Sequence, residues 1–272
     1  MNLQNDSIPI VLTVAGSDSG GCAGIQADLK TFAFHQVHGC SALTCLTAQN
    51  TTGVFRVDPI LPEAVVAQLR AVYTDLPPTS AKTGMLFHQP VIEVVSDFFS
   101  SHKIGNLVVD PVMMSRSGDS LLDKDSQIAI EQQMIPLATI LTPNRFEAAH
   151  LAKRKLDSLN DMKDAAKALF QLGPAAVLVK GGAMPDKCRG TDVYFDGSQV
   201  EILSTESIST RNTNGTGCTM SAAIAANLAK GLDLFDACTA AKKYVTDALQ
   251  NALQVGQGNG PVSHFFPIKD IK

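Results

Sequence analysis

Short apolar runs alternate along this chain with longer stretches in which apolar residues recur every three or four positions. Residues 8–15 (IPIVLTVA) form a continuous β-branched run that stops at Gly16. Such a run predicts a strand buried on both faces, as in a parallel sheet. Residues 25–37 then predict a helix and 41–48 a second strand. In 62–76, Val65, Val66, Leu69 and Val72 keep helical spacing, with Pro62 near the start. The alternation continues with strands at 79–85, 107–112, 139–142 and 176–180, and helices at 90–99, 125–135 and 161–172. Two strand runs, 192–195 and 199–203, flank Asp196-Gly197, a strong hairpin signal. Helices at 217–229 and 234–253 follow, and the Gly- and Pro-rich tail after Gly256 reads as loop.

Repeated strand–helix alternation predicts one three-layer α/β/α domain over residues 1–272, with a mostly parallel central sheet. Ligands bind such folds at the carboxyl ends of the strands. The loops after Ala15, Ala48, Met85, Asp110, Thr142 and Lys180 should therefore converge on one site.

Charge and composition narrow the partners. Lys plus Arg number 22 against 26 Asp plus Glu, a net charge of −4, and the basic residues are scattered. That distribution argues against a nucleic-acid binder. No apolar stretch approaches the ~18 residues of a membrane span, and no secretory leader pattern opens the sequence. A cytoplasmic protein acting on a small molecule is expected. The 6 cysteines form no Cys-x-x-Cys pair and no zinc spacing, so each reads first as a buried free thiol. The histidines share no spacing suggestive of a metal cluster, and His35 and His38 read as structural.

Several segments exceed what a bare scaffold needs. Residues 16–24 (GSDSGGCAG) join a strand to a helix, where a connection needs less glycine than this. They lack the Gly-Lys-Ser/Thr of a phosphate loop and the spacing of a dinucleotide fingerprint, which leaves a ligand cradle or lid against a flexible connection. Residues 214–219 (NGTGCT) precede a helix apolar on all sides. Glycines at a helix mouth expose its first N–H groups, and with the dipole these make an anion site. Cys218 falls in that first turn, where a thiolate is favoured; the plainer reading is a helix cap. Asp110 in VVDPV sits near a strand end, as a turn residue or a ligand. Asn144 and Glu147 in TPNRFE suit either a helix cap with an acidic first turn or a hard divalent cation held partly through waters. Lys180 ends an apolar strand before two glycines, snorkelling or neutralising a ligand's negative charge. Gln49 offers an acceptor and two donors to a heterocycle's edge. Met85 and Met113 suit an apolar ring or plain core.

Together AGSDSGGCAGIQADLKT, TAQNTTGV, AKTGML, VVDPVM with SGDSLL, LTPNRFEA, VLVKGG and NGTGCT resemble the ribokinase-like superfamily. The resemblance is closest to the hydroxymethylpyrimidine and phosphomethylpyrimidine kinases of thiamine biosynthesis, and it runs from about residue 10 to the tail GNGPVSHFF. It implies a homodimeric kinase using ATP and Mg²⁺. Such a kinase phosphorylates 4-amino-5-hydroxymethyl-2-methylpyrimidine, and in many members its monophosphate. By the same resemblance Gln49 holds the pyrimidine, with Gly16, Asp18, Met85 and Val112 around it. Gly215, Thr216, Gly217 and Cys218 form the anion hole, with Cys218 as catalytic base. Lys180 and Asp110 serve the nucleotide's phosphates, and Asn144 and Glu147 act on Mg²⁺ through waters. The chain departs from the family pattern at Cys22, Arg116, Asn214, Gln257 and Ser263; Asn214 and Gln257 remove potential charge near the nucleotide. A pyridoxal or pyridoxine kinase is the nearest alternative, and a non-catalytic pyrimidine-binding protein the next.

Overall fold

The structure is a computed structural model that describes residues 8–114, 118 and 120–268. Arg116, one of the departures noted above, lies outside the described residues.

A nine-stranded sheet runs through the molecule in the order β3-β2-β1-β4-β5-β6-β7-β8-β9. Its strands are β1 (Ile10–Asp18), β2 (His38–Asn50), β3 (Gly53–Pro59), β4 (Ser80–Thr83), β5 (Asn106–Val109), β6 (Ile140–Leu141), β7 (Val177–Val179), β8 (Thr191–Phe195) and β9 (Val200–Ser204). Every pairing from β2 through β7 is parallel, while β3, β8 and β9 add antiparallel pairings at the two ends. The parallel strands are short and apolar because helices cover both faces. Successive residues face opposite layers: Leu107 and Val109 join one core, Val108 the other.

One layer holds α2 (Pro62–Asp75), α3 (Gln89–Ser101), α4 (Lys124–Ala129), α5 (Arg145–Leu151) and α6 (Leu159–Phe170). The other holds α1 (Gly24–Phe34), α7 (Thr216–Ala229) and α8 (Leu234–Gln250). In α7, Ala222 to Ala226 are wholly buried, packed against α1, α8, β4 and β5. Its run of Ala and Ser permits that close approach on every side.

Four expectations change. No strand is legible at β3, because its neighbours Val54 and Phe55 are both exposed and break the alternation. It forms because Asn50 Oδ1 accepts from the Thr52 amide at 2.8 Å and turns the chain back onto β2. The helix expected at 125–135 is α-helical only to Ala129. It continues as a π turn, Ile130–Met134, and a 3₁₀ turn, Ile135–Leu137, into which Pro136 brings no N–H donor. β5 ends before Asp110 because Pro111 cannot extend a ladder. The tail is more than loop: Pro261 pairs with Asn214, and Val262, Ser263 and His264 are buried. No described helix is long and apolar enough to cross a membrane.

Candidate active site

Because the central strands are parallel, their carboxyl ends share one edge. A cleft of about 580 Å³ opens there, lined among others by Asp110, Val112, Asn144, Glu147, Lys180 and Cys218. This volume lies in the range of small-molecule sites.

The mouth of α7 forms its floor. Gly215 takes a left-handed conformation, φ 78°, as the residue ahead of the helix, and no side chain caps the first turn. A Cβ on Gly215 would lie 1.9 Å from the Cys22 carbonyl oxygen, so only glycine lets α7 meet the loop before α1 at this point. Thr216 Oγ1 donates to the Thr213 carbonyl at 2.6 Å, and Thr219 Oγ1 to the Gly215 carbonyl at 2.8 Å. Both hydroxyls point back along the chain, leaving the helix end to face the cleft. The start of α1 lies beside the same place, and the Gly24 amide acts to lower the Cys218 pKa.

Lys180 reaches over this mouth. Its Nζ donates to Asp110 Oδ1 at 2.7 Å, and a Cβ on Gly217 would stand 3.4 Å from that nitrogen. Ser221 Oγ, one turn into α7, donates to the other Asp110 oxygen at 3.2 Å. Burial works against the Lys180 ammonium, but Asp110 and Glu147 hold its pKa above the ordinary value.

Asn144 and Glu147 form a full capping box at the start of α5: Asn144 Oδ1 accepts from the Phe146 and Glu147 amides, and Glu147 Oε2 from the Asn144 amide at 2.8 Å. The structural reading of this pair is therefore realised, and the cap leaves both side chains at the cleft wall. Burial, with Asp110 adding to it and Lys180 opposing, pushes the Glu147 carboxyl up to about 8.

Cys218 corrects an expectation. A helix N-terminus by itself favours a thiolate, yet burial pushes this thiol up to about 11; Lys82 and the Gly24 amide pull it down, while Asp28 and Asp110 push it further up. Desolvation outweighs the dipole, so the resting group is a thiol.

Gly16, Asp18, Gln49 and Met85 lie outside the cleft's lining, at the ends of β1, β2 and β4. A Cβ on Gly16 would stand 2.6 Å from Cys45 Sγ and 3.2 Å from the Met85 methyl, so these three pack as one floor. Ser19 Oγ donates to the Gln49 carbonyl at 2.7 Å and accepts from its amide at 2.8 Å, fixing the backbone behind its side chain. Asp18 is committed to the glycine-rich loop. Its carboxylate accepts from the amides of Gly20, Cys22 and Ala23 at 2.8–2.9 Å, which makes the segment an ordered cradle rather than a slack connection. Met113 is core.

Two features escaped the sequence reading. The cleft's far wall, including Ile208, Val245 and Leu249, comes from the β9–α7 connection and α8 and carries no motif. The second is a fully buried ion pair, Lys82 Nζ to Asp28 Oδ2 at 2.9 Å. A lysine in the middle of a short, doubly covered strand was its available signal.

The phosphomethylpyrimidine kinase family matches residues 18–263. A hydroxymethylpyrimidine/phosphomethylpyrimidine kinase of Synechococcus elongatus is 53% identical over 262 residues, covering 96% of this chain and 99% of that protein. The ADP complex of Bacillus subtilis pyridoxal kinase superposes with a TM-score of 0.89 at 38% identity, covering 95% of this chain and 98% of that one. The phosphomethylpyrimidine kinase of Clostridium difficile 630 superposes with a TM-score of 0.80 at 37% identity, covering 89% and 99%. The match across residues 18–263, together with the 53% identical relative, shows that the chain belongs to the phosphomethylpyrimidine kinase family of phosphotransferases.

Proposed function

We propose that this kinase transfers the γ-phosphoryl group of ATP to the hydroxymethyl group of 4-amino-5-hydroxymethyl-2-methylpyrimidine, and then a second phosphoryl group to the monophosphate. The carrying observation is the α7 mouth, uncapped and flanked by Lys180 Nζ, between the open cleft and the Gly16–Cys45–Met85 floor. Phosphoryl transfer demands positioning and charge stabilisation above all. The amides of the first turn of α7, with Lys180, suit the equatorial oxygens of the transferring group. Gln49, whose backbone is fixed by Ser19, would present its amide to the pyrimidine edge while Met85 and Val112 cover the ring.

Asn144 and Glu147 suit Mg²⁺. They offer hard oxygens, and because burial outweighs Lys180 in pushing the Glu147 carboxyl up to about 8, a further cation there would favour its ionised form. Bound there through waters, Mg²⁺ would neutralise phosphate charge. Cys218 would accept the hydroxyl proton as its bond to phosphorus forms. With a thiol pushed up to about 11, the active thiolate is a minor species at neutral pH, so kcat should rise as pH is raised from 7 towards 10. In Cys218→Ala kcat should fall at least 10²-fold with an unchanged denaturation midpoint; near-normal turnover would remove the base role.

Pyridoxal is the second candidate substrate, favoured by the higher TM-score to a pyridoxal kinase. The near-complete coverage at 53% identity favours the pyrimidine. Parallel assays with Mg-ATP decide between them, following mono- and diphosphate by mass spectrometry. A larger kcat/KM for pyridoxal would overturn the assignment. The reading includes a cytoplasmic homodimer. All six cysteines are free thiols, which suits a reducing compartment. The exposed Val54 and Phe55 on edge strand β3 suit a subunit contact, to be checked by light scattering.

A further inference from the structure

The cleft wall carries a second lysine–aspartate pair, which the transfer outlined above does not use. Lys242 on α8 and Asp192 on β8 both line the cleft, and both are buried. Lys242 Nζ donates to Asp192 Oδ2 at 2.9 Å. The other oxygen, Oδ1, accepts from the Gly181 amide at 2.8 Å. One carboxylate thus ties α8 and β8 to the residue that follows Lys180.

That residue is where the chain leaves the sheet. The β7–β8 ladder ends at Val179 and Val193, short of Gly181, and the Gly181 amide takes a side-chain acceptor instead. The Lys180 amide donates to the Pro143 carbonyl at 2.9 Å, and the Gly181 carbonyl accepts from the Met184 amide at 3.0 Å. A Cβ on Gly181 would stand 1.8 Å from the Thr191 carbonyl oxygen, so the corner is pressed against β8 at the residue before Asp192. The two amides that set the direction of the Lys180 side chain, its own and the next, are therefore both held. One is held by the β6–α5 connection and the other by Asp192. At the far end of that side chain, Nζ meets Asp110 at 2.7 Å. An ionised acceptor makes the stronger bond to an amide, and its burial is tolerable where a partner cation is supplied, as Lys242 supplies it here.

We infer that Asp192 is a positioning residue for Lys180: paired with Lys242, it fixes the Gly181 amide and so aims the Lys180 ammonium over the α7 mouth. The inference deepens the phosphate role given to Lys180 and rests on it only for the consequence to turnover. A long, flexible lysine stabilises a transferring group well only if its direction is set in advance, and here the main chain at its root sets it.

The test reads the Lys180 amine itself. The wild-type chain, Asp192→Ala, Asp192→Asn and the double variant Asp192→Leu/Lys242→Met are reductively methylated without nucleotide, and the Lys180 and Lys82 peptides are quantified by mass spectrometry. The double variant strands no charge, so it decides the matter if Asp192→Ala fails to fold. Lys180 should be methylated roughly fivefold faster in Asp192→Ala and in the double variant, the release of about one hydrogen bond. Asp192→Asn keeps an oxygen for the Gly181 amide and should return towards the wild-type rate. Lys82 is wholly buried, reports general loosening and should keep its rate. For turnover, kcat should fall about 10²-fold in Asp192→Ala, but by no more than about threefold when Asp192→Ala is added to Lys180→Met. An unmoved Lys180 rate, a rise at Lys82 as large as at Lys180, or a comparable kcat loss in both backgrounds would overturn the assignment. Faster Lys180 methylation with an unchanged kcat would remove the phosphate role of Lys180 and leave the assignment of Asp192 standing.

Discussion

Replacing Gly215 by alanine tests how tightly the helix mouth is specified. The added Cβ would stand 1.9 Å from the Cys22 carbonyl oxygen, where a comfortable contact needs about 3.3 Å, so the two backbones must part by more than about 1 Å. Neither side yields easily. The Cys22 and Ala23 amides are held by Asp18, and the Gly215 carbonyl is held by Thr219. The left-handed φ of 78° adds about 1 kcal/mol for alanine. With about 1–3 kcal/mol for forced packing, the loss of stability should be about 2–4 kcal/mol. Displacing the α7 amides by about 1 Å should lower kcat roughly 10²-fold. Gly231 supplies the control: its φ is +89° and nothing lies within 4 Å of a Cβ there, so Gly231→Ala carries the conformational cost alone. It should lose about 1 kcal/mol and keep its kcat. Urea denaturation and a coupled ADP-release assay at saturating Mg-ATP measure both quantities. A Gly215→Ala chain no less stable than Gly231→Ala, with kcat within threefold of wild type, would refute the reasoning.

Lys180→Met removes the cation at the anion hole and should lower kcat by about 10²–10³-fold; because Asp110 then keeps the Ser221 and Thr142 hydroxyls but loses its cationic partner, denaturation of the same variant should show a loss of about 1–3 kcal/mol. His264 is buried with its Nε2 2.9 Å from Thr219 Oγ1, and burial pushes its pKa down to about 4. A folded-state pKa below the unfolded value means stability is fully present above about pH 6.5 and lost as pH falls towards 4, by at most about 3 kcal/mol. In His264→Gln that part of the acid limb should vanish from denaturation curves taken between pH 4 and 7. Asp18→Ala frees the Gly20, Cys22 and Ala23 amides, so the cradle should become susceptible to limited proteolysis near residue 21, while wild type resists.

Much of this architecture follows from local pattern alone. The apolar run 8–15 could be satisfied only by a strand covered on both faces, and parallel strands with helical crossovers then force their ends onto one edge. That reasoning brings Asp110, Asn144 and Lys180 to a common cleft, whereas Gly16, Gln49 and Met85, at the other strand ends expected there, lie outside its lining. Glycine was informative for the same reason, since Gly215 and Gly24 sit where a Cβ cannot fit.

What the tertiary structure decided is whatever depends on distant neighbours. Strand β3 exists because β2 offers it an edge, although its own residues carry no burial pattern. Asp18, polar and in a glycine-rich loop, looks like a ligand in one dimension; folded, it organises the loop's amides. The sign of the Cys218 shift could not be read from its place in a helix. The dipole belongs to the local sequence, whereas the burial that outweighs it comes from packing by α1, β4 and β5. Lys82 and Asp28 lie 54 residues apart and meet only through the fold. Sequence settled which groups reach the edge of the sheet, because periodicity and glycine sterics are local. Their charge states are set by solvent exclusion and by neighbours from other elements, and these come into being only when the sheet is assembled.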